Sequence, residues 1–505
     1  MPAIRVERLP VQTFGLGFLG FDHLQLVFQP GGAAEPTSQE RWFVIEGVRE
    51  LAGATTRLGV EGWHGGTTLA EANGGASGAE LAAKIGTAEF RGSRELVSGQ
   101  DAHETWASLV SFAADIEAQG FPYIAYALPS SPLPTLNSTS LIGSLLYHAG
   151  FSPAEARPFG TRLSPGMTTL LATSGDDTVS LGASDFTAIL AGAGQDTLFG
   201  SDDAQRIDKL YGGKGDDRVH WSAGFNIFHG GEPSLAYAAD GVDTVTYAGT
   251  GKIRVDAAAS PVEHYRPDFI VTHPGGTDHL FSIEELSWDA SNDTVTLGQG
   301  VGMIGQGRVP LTLRLGDGDN TVDGSLGTFP TRIIAGTGQD TIIVGSGPMT
   351  VSGGPGADTF IIAAQDADLT ILDAGPEDRL TLLPEFAEAR AEADPSGGLL
   401  IRILGDAGAS ALVHVRDFEV GDLGISNATS RLVAASTFHD ESEAFRFAAF
   451  DHLGESHEPK PSGHSANAEH AQHDAIWTEF LPEPFTDLAP APLHWIVSDG
   501  EDRHH

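Results

Sequence analysis

The feature that most constrains this 505-residue chain is a short pattern recurring at fixed spacing. Gly-x-Asp/Asn-x-apolar occurs at 175–179 (GDDTV), 194–198 (GQDTL), 215–219 (GDDRV), 224–228 (GFNIF), 241–245 (GVDTV), 318–322 (GDNTV), 338–342 (GQDTI) and 356–360 (GADTF). The spacing says more than the count. Residues 203–211, 212–220 and 221–229 are three contiguous nonapeptides, and so are 335–343, 344–352 and 353–361. GGKGDDRVH (212–220) and GGPGADTFI (353–361) fit a full template, Gly-Gly-x-Gly-x-Asp-x-apolar-x. A unit this short buries no core alone, so neighbours must stack. The apolar residue at position eight turns inward from a short strand. Each nonapeptide is then half a coil, and residues 18 apart share one edge, as Asp340 and Asp358 do, and Asp208 and Asn226.

The turn residues carry chemistry. Glycine permits the positive-φ turn that leaves backbone carbonyls pointing into the loop. Aspartate supplies a hard carboxylate oxygen, the ligand calcium prefers. The pattern nominates as calcium ligands Gly175, Asp177, Gly194, Asp196, Asp208, Gly213, Gly215, Asp217, Asn226, Asp243, Gly318, Asn320, Gly338, Asp340, Gly354, Gly356 and Asp358. Composition agrees: 68 Asp and Glu against 28 Lys and Arg give a formal charge of −40. Such acidity opposes nucleic acid and anionic membrane surfaces as partners. With no cysteine, a disulfide scaffold, a thiol nucleophile and a thiolate metal site are excluded. Apolar residues, at 40%, suffice for a core. No apolar run is long enough to span a membrane, and the N-terminus lacks the basic, apolar and small-residue order of a cleaved signal peptide.

The repeats resemble the RTX, or haemolysin-type, calcium-binding repeats of bacterial proteins exported by type I secretion. The resemblance covers roughly 164–362 and implies a parallel β-roll, calcium-dependent folding outside the cell, and an uncleaved C-terminal export signal. Calcium ions and the type I secretion apparatus are then the expected partners, and an extracellular location follows. There are departures. Met349 stands where Asp is expected, and about 230–313 is irregular, with DGVDTVTY (240–247) and SNDTVTL (291–297) as isolated echoes. The expectation is two short ladders around a degraded middle. A calcium-free β-solenoid whose Asp residues only cap turns is the competing reading.

The remaining blocks complete a multidomain reading: an α+β N-terminal domain (1–163), the β-roll, a β cap (363–433), and a largely disordered acidic tail (434–505). The cap contains SGGLLIRILGDAGASALVHV (396–415), read as paired strands closing the open end of a solenoid. The tail from His439 holds nine of the 19 histidines, 14 acidic residues and three basic ones, a composition fitting an export signal or a solvated segment; its histidines are too irregularly spaced for one preformed metal site.

In the N-terminal block, 21–28 and 41–47 read as a hairpin, 99–120 as a helix with Ala102, Trp106, Leu109 and Ala113 on one side, and 137–151 as a second helix capped by Asn137 or Ser138. The arrangement is similar to permuted papain-like domains of the NlpC and LRAT type. That likeness implies His23 as base and Ser138 in the nucleophile slot of LNSTSL, where the family places a cysteine. A hydroxyl needs a better-poised base than a thiol does. No zinc-protease helix, nucleophile elbow, dinucleotide fingerprint or Walker loop occurs. The sequence therefore predicts a secreted calcium-binding protein, structural or adhesive or carrying an N-terminal effector that meets a cell-surface or matrix partner; the alternative is a hydrolase or amidase working through that domain.

Overall fold

A computed structural model describes residues 1–10, 22–29, 43–53, 55–61, 92–125, 127, 131–158, 166–182, 184–231, 241–257, 267–300, 310–382, 386–394, 397–405, 410–419, 422–426 and 431–434. All lie within one unit, Met1–Phe447. The acidic tail from 435 onward lies outside the described residues.

The N-terminal part is a five-stranded antiparallel sheet with helices. Strands β1 (Ala3–Pro10), β2 (Asp22–Gln29), β3 (Phe43–Ala52), β4 (Thr55–Glu61) and β5 (Gly92–Ser98) lie in the order β4-β3-β2-β1-β5. The expected hairpin exists, with Leu26 opposite Ile45 and Phe28 opposite Phe43. Helix α1 (Asp101–Gln119) buries Ala102, Trp106, Leu109, Phe112, Ala113 and Ile116, and ends on Gly120 in the left-handed conformation. Helix α2 (Ser138–His148) is capped by Asn137, not Ser138: Asn137 Oδ1 accepts from the Thr139 N–H (2.9 Å), and Ser140 Oγ accepts from the Asn137 N–H (3.1 Å). Helix α2 is buried over Thr139–Leu146, and a short helix α3 (Pro153–Ala156) follows.

From Thr169 onward the chain winds into a roll-like β-solenoid of two 13-stranded sheets. Sheet I begins with Thr169–Leu171 and sheet II with Thr178–Ser180. Neighbouring strands are mostly parallel and in register: Ile342 lies beside Phe360 in sheet I, and Leu198 beside Val219 in sheet II. The position-eight residues Val179, Leu198, Val219, Val245, Val322, Ile342 and Phe360 all point into one continuous apolar core reaching from Leu170 to Val415. That alternation is the period-two pattern of strands with one face buried.

The middle is less degraded than the sequence suggests. Stacking passes through it, since Thr244–Thr246 pairs in parallel with Arg218–His220 on one side and Glu285–Ser287 on the other. The irregularity is an insertion into sheet I alone, where Lys252–Ala257, Phe269–His273 and Gly276–Phe281 form an antiparallel trio. A second antiparallel trio, Phe386–Ala393, Leu399–Gly405 and Ser410–Val415, is inserted into sheet II. The last two strands are the pair expected to close the roll. They do not end it, because Arg379–Leu382 pairs onward in parallel with Gly424–Ser426.

The other end is covered by the N-terminal part. Met167, Leu171, Leu190 and Tyr211 of the first coils share a hydrophobic cluster with Trp106, Leu141 and Leu145 of the helices. Ser144 Oγ accepts from the Leu171 N–H (2.9 Å), Thr169 Oγ1 donates to Thr135 O (2.7 Å), and Tyr211 Oη donates to Pro132 O. An exposed first coil would present unpaired edges, and this packing shields the first strand of sheet I.

Glycine at position two of the repeat is a steric requirement. A Cβ on Gly213 (φ 109°) would fall on Gly192 O of the preceding coil, and one on Gly354 (φ 88°) on Gly336 O. By contrast, Gly53 (φ 67°) has open space around it. Gly354→Ala should therefore cost about 3 kcal/mol or more, from overpacking plus a left-handed alanine, against about 1 kcal/mol for Gly53→Ala. Urea-unfolding midpoints of the two variants check this ordering.

Candidate metal centre

The turns of the roll form two columns, on opposite edges. Turns running from sheet I into sheet II carry Asp177, Asp196, Asp217 and Asp243, with Glu284 after them. Turns running from sheet II into sheet I carry Asp293, Asn320, Asp340, Asp358 and Asp378. The column changes edge between Glu284 and Asp293, next to the sheet I insertion. Met349, standing where Asp was expected, sits on the edge the column has left; it is buried and apolar, 2% exposed.

One interaction repeats along each column. The backbone N–H of each position-six residue donates to the side chain of its counterpart one coil on. Asp177 N–H donates to Asp196 Oδ1 (2.8 Å), Asp196 N–H to Asp217 Oδ1 (2.8 Å), Asp217 N–H to Asp243 Oδ1 (2.9 Å), and Asp243 N–H to Glu284 Oε2 (2.9 Å). In the second column Asp293 N–H donates to Asn320 Oδ1 (2.9 Å), Asn320 N–H to Asp340 Oδ1 (2.8 Å), Asp340 N–H to Asp358 Oδ1 (2.9 Å), and Asp358 N–H to Asp378 Oδ1 (2.9 Å). A side-chain oxygen is what the step requires, so asparagine serves at 320 and glutamate at 284.

The second carboxylate oxygen takes a local donor at Asp177, Asp293 and Asp378, and is left over at three other positions. Asp196 Oδ2, Asp340 Oδ2 and Asp358 Oδ2 are buried without a hydrogen-bond partner. Burying an ionised oxygen unpaired is costly. Burial pushes the Asp196 carboxyl up to about 7, and pushes Asp293 and Asp358 each up to about 6. It raises Asp340 and Asp378 as well. In the turns of Asp196 and Asp340, Gly192 O, Gly194 O, Gly336 O and Gly338 O each stand against a glycine of the next coil. The donors are all oxygen, a set suited to calcium rather than zinc or copper. Among the described residues no three His, Asp or Glu side chains converge on one point. A cation would therefore be held by carboxylates of the columns together with turn carbonyls.

The nominated residues divide cleanly. Gly175, Asp177, Gly194, Asp196, Gly213, Gly215, Asp217 and Asp243 belong to the first column, and Gly318, Asn320, Gly338, Asp340, Gly354, Gly356 and Asp358 to the second. Asp208 and Asn226 do stack, side by side on neighbouring strands of sheet I, but in a row of their own on the edge opposite Asp196 and Asp217. Asp278 completes that row. Protein donors meet part of it: Asn226 Nδ2 donates to Asp278 Oδ1 (2.9 Å), Tyr247 Oη donates to Asp278 Oδ2 (2.9 Å), and Ser201 N–H donates to Asp208 Oδ2 (2.6 Å), while Asp208 Oδ1 and Asn226 Oδ1 are buried without a hydrogen-bond partner. The sequence reading missed Asp293, Asp378 and Glu284 as column members. The signal for Asp293 was the echo SNDTV at 291–295; Asp378 lies in GPEDRL, where only its place 20 residues after Asp358 betrays it.

The proposed catalytic pair fares differently. Ser138 is the first residue of α2, packed against Gly47 of β3, with its Cα 2.6 Å from where a Cβ on that glycine would stand. His23 lies on β2 with its backbone opposite Leu9, and its side chain lies outside the described residues.

A family model for the RTX calcium-binding nonapeptide repeat (4 copies) matches residues 205–228 and 334–361. The first match spans Asp208, Asp217 and Asn226, and the second spans Asp340 and Asp358. No curated protein matches the chain. Turn glycines that only glycine can fill, columns of position-six carboxylates and the family match converge: the chain carries RTX calcium-binding repeats of the haemolysin type.

Proposed function

We propose that this is an exported protein whose roll is held together by calcium along its two carboxylate columns, with the N-terminal α+β part as the structural, adhesive or effector piece that meets a cell-surface or matrix partner. The observation that carries this reading is the row of buried, unpartnered Oδ2 atoms at Asp196, Asp340 and Asp358. Each is a charge site the protein leaves unpaired while the sister oxygen is used between coils. In a calcium-poor cytoplasm these carboxylates oppose folding, which suits a chain that passes through the type I secretion apparatus before it compacts. Outside, calcium binds the folded form and stabilises it by RT ln(1 + [Ca]/Kd), about 2.7 kcal/mol per site at a hundredfold excess over Kd.

The direct test is thermal unfolding of the full chain in calcium and in chelator. Calcium should raise the melting temperature, and an unchanged melt contradicts the proposal. Asp358→Asn sharpens the test. The amide keeps an oxygen for the Asp340 N–H, as Asn320 does for Asp293, and removes the buried charge. This variant should melt no lower than wild type in chelator and gain less from calcium.

Protons compete for the same oxygens. In the metal-free chain Asp196, Asp293 and Asp358 hold a proton up to about 7, 6 and 6 when folded, but titrate near 3.8 when unfolded. The folded state therefore binds more protons between about pH 4 and 7, and metal-free stability falls as pH rises through that window. His229, buried and held down to about 4, acts in the opposite sense below 6.5 and is outnumbered. Calcium needs the ionised form, so its contribution grows as pH rises. The melting-temperature increment from calcium should be larger at pH 8 than at pH 5.5; equal increments would refute the competition.

A further inference from the structure

The first coil of the roll, with Thr173 at position two of its turn, has no coil before it, and the end of α1 packs where it meets the second coil. For Gly213 and Gly354, the position that a Cβ would take is filled by a carbonyl oxygen from position two of the coil before. For Gly192, in the second coil, that place is filled by Gln119 Oε1, from the last turn of α1, while Thr173 O, the position-two carbonyl of the first coil, stands off at 2.9 Å from the same point. A side-chain carbonyl from outside the repeat thus stands beside the first coil's carbonyl, in the place that a backbone carbonyl takes at Gly213, Gly336 and Gly354.

The orientation of this amide is chemically determined. Gln119 Nε2 faces two proton acceptors, Ala172 O (3.1 Å) and Asp115 Oδ2 (3.3 Å). Neither can donate to an oxygen, so Oε1 must turn toward Gly192. There it is buried without a hydrogen-bond partner, like Asp196 Oδ2 in the same turn. One helical turn earlier, Asp115 grips the turn itself, accepting from the Ser174 N–H (2.6 Å) and from Ser174 Oγ (2.5 Å). The C-terminal end of α1 is thus seated on the first turn of the column.

We propose that Gln119 Oε1 is a ligand for the first calcium of the column, so that this ion ties the N-terminal part to the roll. The inference rests on the calcium reading of the turns. It adds a donor outside the nonapeptides and a consequence: docking of α1 becomes calcium-dependent. The donor set is one amide oxygen, turn carbonyls and the Asp196 carboxylate, all hard oxygens.

The test is hydrogen exchange on the full chain in calcium and in chelator, with the bound calcium counted by calorimetry, for wild type, Gln119→Leu and Gln119→Glu. In wild type, calcium should slow exchange in 111–120 on the order of tenfold, alongside protection of 335–361. Gln119→Leu should lose the α1 protection and one calcium ion while 335–361 still responds. Gln119→Glu keeps a donor oxygen but loses the amide donor to Ala172 O, and should retain both the ion and the protection. If Glu fails as Leu does, the amide hydrogen bond is what matters and the ligand role is wrong. If 111–120 is indifferent to calcium while 335–361 responds, or Gln119→Leu keeps the full count, this inference falls and the calcium reading stands. If 335–361 does not respond either, both fall.

Discussion

The structure depends on a hydrogen bond that runs between coils, from the backbone N–H of one position-six residue to the side-chain oxygen of the next. It fixes the register of neighbouring turns, because a slip of one residue would break it and also turn the position-eight side chains out of the core. It uses one carboxylate oxygen and orients the other. At Asp196, Asp340 and Asp358 that second oxygen is buried without a hydrogen-bond partner. The fold thus builds an electrostatic cost into those coils, and a divalent cation is the chemically matched way to offset it.

Where the protein does without that remedy, it substitutes its own donors. At 320 an asparagine replaces the charge, and its Nδ2 donates to Gly318 O (3.0 Å). At Asp278 the buried carboxylate takes Asn226 Nδ2 and Tyr247 Oη instead. Both solutions keep the stacking. The change of edge between Glu284 and Asp293 has a similar logic. The inserted trio lengthens sheet I by strands that sheet II does not match, and the repeat resumes with its carboxylates on the other side. A second trio near the C-terminal end repeats the device in sheet II.

Much of this was legible because one residue carries two jobs in a short period. Aspartate at position six and an apolar residue at position eight are both dictated by the coil, so 18-residue spacing at Asp340 and Asp358 disclosed the stacking directly. What the sequence hid were variable coil lengths. Asp196 to Asp217 spans 21 residues, and Asp293 to Asn320 spans 27, so Asp293 looked isolated. The edge on which a carboxylate falls was also hidden, since it depends on which sheet the flanking strand joins. Only within contiguous nonapeptides was it legible: Asp208 and Asp217, nine residues and so half a coil apart, lie on opposite edges. Gln119 was invisible for a different reason: its role arises only where a helix 50 or so residues upstream meets the first coil, with the amide donating to Ala172 O across 53 residues of sequence.

The central claim is that the leftover oxygens of the two columns are calcium ligands. A crystal structure of the full chain grown in calcium, with anomalous difference density, tests it most directly. The account predicts ions about 2.3–2.6 Å from Asp196 Oδ2, Asp340 Oδ2 and Asp358 Oδ2, with turn carbonyls completing the shell. Ordered water alone on those oxygens, at saturating calcium, would contradict it.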